Sequence, residues 1–299
     1  MMASAVENDL TIPGPLWELV TRKAGDLNML PAVATQAVEI ANDPNCSIDR
    51  FTAVINRDSK LAADILKLAN SAAYSPGTPI LSLNQAVVRL GFRQCKNLIL
   101  SSSMTALMKK MTLDQEWVRE ILSRHAFITA MLGVHLNKAL AAGFQGEEFT
   151  GGLMHDFGRL LFAVTFGEQF SQLDPLEFEE SPETLDRERQ LAGTDHGSLG
   201  AWFAQGNRLP ASLVEVVRYH HQPELAQDNP RLVALVASCD HMANHIQRTD
   251  GADGYDPETN EGIRILERSG VRNAIPRFRE VHGRIMEIAQ SDALAMLSF

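Results

Sequence analysis

Two stretches of this chain put a titratable side chain in the middle of an apolar helical stripe, and this constrains the fold more than anything else. Val118, Ile121, Leu122, His125, Ile128, Leu132 and Leu136 recur at helical spacing, so His125 faces whatever the stripe faces. Val233, Val236 and Asp240 repeat the pattern at i, i+3 and i+7. An unpartnered carboxylate on such a face would cost about 3 to 5 kcal/mol, so folding must bring Asp240 a metal, an arginine, a histidine or backbone amides.

Helix-period patterns run through the rest of the chain, and no convincing period-two alternation interrupts them. Val33, Ala37, Ile40 and Ala41 share a face, and Asn42-Asp43-Pro44 ends that helix. Ser47 is placed to cap a second helix with Phe51, Val54 and Ile55 inward, and Leu61, Ile65 and Leu68 line a third after Ser59. Ser75-Pro76-Gly77-Thr78-Pro79 forbids helix, Ser82 and Gln85 have capping-box spacing, and Gly91 supplies a stop. The acidic stretch from Asp174 to Glu188, with Pro175 and Pro182, reads as a connection, and Asp250 to Gly254 as a loop. Pro230, after Asp228 as cap, starts the Asp240 helix, and Phe278, Val281, Ile285 and Ile288 mark a closing one. The expectation is an all-α protein: a helical lobe over 1–112 without a candidate ligand, a helical core over 113–250, and a C-terminal helical extension over 251–299.

A chain of 299 residues has ample material for a core. Its 27 Lys and Arg against 37 Asp and Glu give a net charge of -10, which repels phosphate backbones and argues against nonspecific nucleic-acid binding; only a local basic patch escapes that argument. Cys46, Cys95 and Cys239 are sparse and widely spaced, as expected in a reducing compartment. Met1 to Asp9 has neither a basic start nor an apolar run, and no apolar run approaches a membrane span, so the expected location is the cytoplasm, away from membranes.

Imidazole and carboxylate are the usual ligands of first-row metals, and separate stretches supply them: His125, His155-Asp156, His196, His220-His221 and Asp240. Each alone has a plainer reading. His125 fits a hydrogen-bonded core histidine, His196 after Asp195 a cap-region residue, and His220-His221 a helix end that favours histidine. Taken together the seven predict a polar pocket able to hold metal. His135, His241, His245 and His282 read as surface or boundary residues, and Trp17, Trp117 and Trp202 as core or lobe-interface residues. Asn70-Ser71 and Arg89 read as structural hydrogen-bonding groups.

Gly152-Leu153-Met154-His155-Asp156-Phe157-Gly158 resembles the signature of the HD superfamily of metal-dependent phosphohydrolases. The superfamily's ligand order matches His125, His155, Asp156 and Asp240, and His196 with His220-His221 resembles the additional ligands of the HD-GYP branch, which hydrolyses cyclic diguanylate at a multinuclear metal centre. Across roughly residues 25 to 245 the chain resembles the HDOD proteins, the HD-related output domains. Leu30-Pro31-Ala32-Val33, the run from Asp58-Ser59-Lys60-Leu61 to Leu68-Ala69-Asn70-Ser71, and Ile80 through Gly91 are similar to that family's N-terminal half. Glu188 through His196, Leu209-Pro210 and His220-His221-Gln222-Pro223 are similar to its C-terminal half.

The resemblance implies an HD-like helical fold and one or two divalent transition-metal ions: iron, manganese, zinc or nickel. His125, His155, Asp156 and Asp240 would hold the first ion, and His196, His220 and His221 the second. Ile121 stands where the HD-GYP branch has a further glutamate ligand, Arg159 where it has a lysine, and Gln222-Pro223-Glu224-Leu225 where it has Gly-Tyr-Pro, so a full HD-GYP centre is not expected. The expected function is a signal-transduction or regulatory module acting through contacts with signalling proteins, without catalysis, its metal-like residues being a relic or a structural site. The alternatives are a metal-dependent phosphohydrolase acting on a cyclic dinucleotide or nucleotide, and an iron-based sensor.

Overall fold

Helices start and stop where short-range chemistry places them. The computed structural model of the chain describes residues 10, 12–24, 31–41, 43, 45–70, 77–179 and 182–297. Asn42, Pro44, Ser71, Ser75, Pro76 and the side chain of Leu68 lie outside the described residues, as does Leu30. In the N-terminal part, α1 (Gly14–Ala24), α2 (Ala32–Ala41), α3 (Ile48–Ile55) and α4 (Ser59–Ala69) are short, and α5 (Leu83–Lys110) is long. Ser47 Oγ accepts the Arg50 amide at 3.2 Å and opens α3. Ser82 Oγ accepts the Gln85 amide at 3.2 Å, and the Gln85 side chain reaches back to accept from the Leu81 amide at 2.7 Å. Gly91, at φ +80° and ψ 162°, stops the regular helix and divides α5 at a kink into two helical segments, in a conformation that favours glycine. Asn70 clamps the Ile80 backbone, accepting from its amide at 2.6 Å and donating to its carbonyl at 2.8 Å, and Arg89 donates to the Thr78 carbonyl at 2.7 Å.

The C-terminal part comprises α6 (Glu116–Leu140), α7 (Glu147–Met154), α8 (Phe157–Phe166), α9 (Phe170–Leu173), α10 (Pro182–Ala192), α11 (His196–Gly206), α12 (Ala211–Tyr219), α13 (Pro230–Thr249), α14 (Glu261–Arg268) and α15 (Ala274–Leu297). Every regular element among the described residues is helical. α6 packs against α7, α13 and α15, which buries the predicted stripe of Val118, Leu122, Ile128, Leu132 and Leu136. A smaller core around Phe51, Ile55 and Ile65 joins α2 to α5, and the larger core runs from Leu16 to Ala293. α5 feeds both: Leu98 and Ile99 point into the smaller core, Leu100, Met104 and Leu107 into the larger. The three cysteines are free, and among the described residues no helix is long and apolar enough to cross a membrane.

Three local expectations are corrected. The second half of the acidic stretch is not a plain connection: it folds as α10, which buries Glu188 completely. Asn229, not Asp228, is the N-cap residue of α13, and it makes no side-chain cap bond. The Glu215 carboxylate on α12 holds the turn that leads into α13, accepting from the amides of Gln227, Asp228 and Asn229 at 2.6, 3.0 and 2.7 Å. Trp17 and Trp117 are 48% and 49% exposed because their chain neighbours Leu16 and Val118 take the buried positions, whereas Trp202 packs against the larger core.

The crossing of α6 and α7 positions the residues that follow. A Cβ on Gly152 would stand 2.7 Å from Ala130 Cα and 2.8 Å from its nitrogen, so the backbones meet at that glycine. Gly152→Ala must push the helices apart, and we expect a loss of about 1 to 3 kcal/mol of stability. Denaturant unfolding at unchanged m-value checks this.

Candidate metal centre

Helix ends carry four of the seven candidate ligands. His155 is the C-cap residue of α7 and Asp156 the N-cap residue of α8, with φ -96° and ψ 13° and no capping bond, so its carboxylate is free to turn inward. His196 opens α11 behind Asp195, whose side chain accepts the Ser198 amide at 2.7 Å. His220 is the C-cap residue of α12, and His221 follows it. His125 and Asp240 come from mid-helix on α6 and α13. The α7–α8 turn reaches α11 because position 158 is glycine: a Cβ there would lie 1.9 Å from the His196 carbonyl oxygen.

The structure brings all seven together around the two oxygens of Asp156. On one side, Asp240 Oδ1 lies 2.9 Å from His125 Nε2 and 3.3 Å from His155 Nε2, those two nitrogens are 3.2 Å apart, and both are 3.6 Å from Asp156 Oδ2. On the other, Asp156 Oδ1 lies 3.3 Å from His196 Nε2 and 3.4 Å from His220 Nε2. His196 Nε2 is in turn 3.3 Å from His220 Nε2 and 3.1 Å from His221 Nε2. In the inner ring of His125, His155 and Asp240, the two histidines are buried away from a cleft of about 1340 Å³ that Asp240, Asp156 and the outer ring of His196, His220 and His221 all line. His221, its side chain 26% exposed, is the most open of the seven.

This donor set fits a metal. Atoms about 2.0 to 2.1 Å from one tetrahedral ion stand about 3.3 Å from each other, which is the spacing within each ring. Ring orientation agrees. His155 Nδ1 donates to the Gly152 carbonyl at 2.7 Å, His220 Nδ1 to the Val217 carbonyl at 2.9 Å, and His196 Nδ1 to Glu188 at 2.9 Å. A neutral imidazole that donates through Nδ1 carries its lone pair on Nε2, so these rings aim acceptors at one another, an arrangement that only a cation or an added proton satisfies. His125 is the exception, its buried Nδ1 having no hydrogen-bond partner. His125, His155 and Asp156 form one group able to hold an ion, and Asp156, His196, His220 and His221 another.

Charge in the site is held by neighbours. Burial works against ionisation of Asp156, yet Arg159 and the adjacent histidines keep it well below the usual carboxylate range. Asp240 is likewise held low against burial, by His155 and His125. Burial pulls His125 and His220 down, and His221 well down. His196 goes the other way: against burial, the Glu188 carboxylate raises it to about 9.

Two further groups border the ligands, and two more were not foreseen. Arg159, which stands where the HD-GYP branch has a lysine, is buried and committed: it donates to Asp156 at 2.8 Å and holds Asp174 with two bonds at 2.6 and 3.0 Å. His241 lines the cleft while bonding the Tyr255 hydroxyl at 2.9 Å. Glu188 accepts from both the amide and Nδ1 of His196 at 2.7 and 2.9 Å; the HDOD resemblance of the segment from Glu188 to His196 marks the region in the sequence but not this contact. Phe178, at φ +52°, stacks 4.8 Å from His125 and 4.7 Å from the Arg159 guanidinium, held by Arg248 donating to its carbonyl.

The family model described as the HDOD domain matches residues 27–223. The chain belongs to the HDOD family. An HDOD domain protein of unknown function from Geobacter sulfurreducens superposes with a TM-score of 0.65 at 23% identity, over 88% of this chain and 92% of that one. A protein from Shewanella amazonensis, provisionally named a metal-dependent phosphohydrolase, gives a TM-score of 0.62 at 19% identity, over 93% and 96% of the two chains. At such identities these likenesses concern the fold. An uncharacterized protein of Treponema pallidum is 27% identical over 222 residues, 73% of this HDOD chain but 42% of that protein, so the chain spans less than half the length of this curated relative.

The Glu188 contact gives a measurable consequence in metal-free protein. Glu188→Gln removes the negative charge that favours the His196 imidazolium, so the His196 pKa falls from about 9. Titration of the ring by NMR checks it; an unmoved midpoint would assign the shift to Asp156 instead.

Proposed function

We propose that this HDOD protein is a metal-dependent phosphoester hydrolase, with Asp156 as the ligand shared between His125, His155 and Asp240 on one side and His196, His220 and His221 on the other. The observation that carries this reading is the pair of ligand rings built on one carboxylate, the outer ring opening to a cleft of about 1340 Å³. Divalent ions in such sites supply an acidified water and neutralise charge on phosphoryl oxygens. The chain's own residues do the rest. Arg159 holds Asp156 ionised and in place, and Glu188 and the carbonyls of Gly152 and Val217 set the ring orientations. Phe178 covers His125. Arg187, on the cleft wall, offers a cation that attracts a phosphate.

The cleft exceeds the usual range of about 300 to 1000 Å³ for small-molecule sites, which favours a nucleotide or dinucleotide phosphodiester over a small monoester. Ile121 offers no ligand, so the proposal stops at two ions. The name of the Shewanella amazonensis protein agrees with this reading. Hydrolysis is preferred to the sequence-based expectation of a non-catalytic module because a relic has no need of three rings oriented through Nδ1.

Contact with signalling proteins is a second reading that is compatible with the first. Leu81 and Val88, 79% and 73% exposed on the ligand-free N-terminal part, favour it as an apolar contact surface.

Elemental mass spectrometry of protein purified without a chelating tag, followed by hydrolysis of bis(p-nitrophenyl) phosphate with iron, manganese, zinc or nickel, tests the proposal. We expect one to two ions per chain, and turnover that His155→Ala and Asp240→Ala each abolish. Metal without turnover would favour an iron-type sensor or a structural site; no metal even in excess ions would overturn both and leave the interaction module. Protons also compete for the ligands: His196, at about 9, holds its proton at neutral pH, so metal uptake rises as pH is raised towards 9 and is accompanied by proton release. Calorimetric titration in buffers of different ionisation enthalpy measures that release.

A further inference from the structure

A second cavity, of about 250 Å³, lies between α4 and α5 on one side and α6 and α7 on the other, and it shares no lining residue with the metal cleft. Its chemistry departs from that of the chain. The protein carries a net charge of -10, yet this cavity is lined by Lys60, Lys67 and Lys109 against the single carboxylate of Asp64. The inversion follows from helix periodicity: Lys60 and Lys67 stand one turn before and after Asp64 on α4, and Lys109 reaches in from the end of α5. Asp64 is engaged within the protein, accepting from the Ser102 hydroxyl at 3.1 Å. Among the described residues, neither the Lys60 nor the Lys109 ammonium has a hydrogen bond or ion pair.

The opposite wall is apolar. Phe127 and Phe149, 7% and 1% exposed, line the cavity together with Ala106. Ammonium groups at one side and aromatic rings at the other suit a ligand with an anionic end and a flat, weakly polar body. The volume sits just below the usual range for ligand sites, which limits the ligand to about the size of a single nucleotide.

We propose that this cavity binds a small organic phosphate, of the class and size of a nucleoside monophosphate, with the phosphate on Lys60 and Lys109 and the body against Phe127 and Phe149. Two of its walls belong to helices that also carry metal ligands: Phe127 is on α6 with His125, and Phe149 is on α7, which leads into His155. At the cavity, α5 is pinned to α7 where Ser101 meets Thr150, hydroxyl to hydroxyl at 3.0 Å.

Isothermal titration of the full chain with AMP tests the site, with inorganic phosphate as the second probe. We expect one AMP bound per chain with a Kd below about 1 mM, weakened at least about tenfold by Lys60→Gln/Lys109→Gln and retained in His155→Ala. Inorganic phosphate should bind about tenfold more weakly than AMP, since it lacks the body that meets the two rings. Absence of saturable AMP binding overturns the proposal, as does binding indifferent to the lysine substitutions, binding lost in His155→Ala, or phosphate binding as tight as AMP. A second measurement needs no variant: AMP should protect Lys60 and Lys109 of the unmodified protein from amine acetylation, read by mass spectrometry, and unprotected lysines would equally overturn it. Because the His155→Ala arm lacks an intact metal centre, failure here is separable from failure of the proposed hydrolase.

Discussion

The buried Asp156 carboxylate is the group on which the rest of the site depends. Each of its oxygens faces two imidazole Nε2 atoms, so one side chain joins the two ligand rings. A carboxylate in that position would be expensive without a compensating charge, and Arg159 supplies it at 2.8 Å. Arg159 in turn is buried and is neutralised by Asp174 through two parallel bonds. The site therefore rests on an Asp–Arg–Asp arrangement in which each charge is desolvated and each is paired.

Asp174 also accepts the Leu176 amide at 2.9 Å, and so it starts the loop that places Phe178 over His125. Leu176 and Phe178 both sit at positive φ, at +57° and +52°, a conformation that side chains other than glycine adopt at some cost. The ion pair at one end and Arg248 at the Phe178 carbonyl hold that backbone in place. Strain, charge pairing and the cover over His125 are thus one structural unit. The outer ring has no such cover, and its chemistry opens to the cleft.

Much of the fold was legible because its determinants are local. Ser47, Ser82 and Gly91 act within one turn of helix, so their roles follow from neighbouring residues alone. Asp228 falls one residue short of the N-cap position of α13 because the turn before that helix is set by Glu215, which a different helix brings in. α10 was read as part of a connection because its residues are mostly charged, and the buried one among them is itself the glutamate Glu188. Arg159 was visible as a cation, but its commitment to Asp174, fifteen residues away across a turn, was not.

By itself, the sequence determined the helical class, several helix starts and stops such as those at Ser47, Ser82 and Gly91, and the seven residues that converge, because periodicity and residue chemistry are properties of short segments. His125 and Asp240 had to find polar partners since each sits on an apolar face. Only the tertiary structure decided that Asp156 is shared, and that His125 and His155 are closed off while the other ligands line a cleft. Those facts depend on contacts between helices far apart in the chain, and backbone approaches such as Gly158 against the His196 carbonyl set them at a precision that spacing along a sequence does not encode.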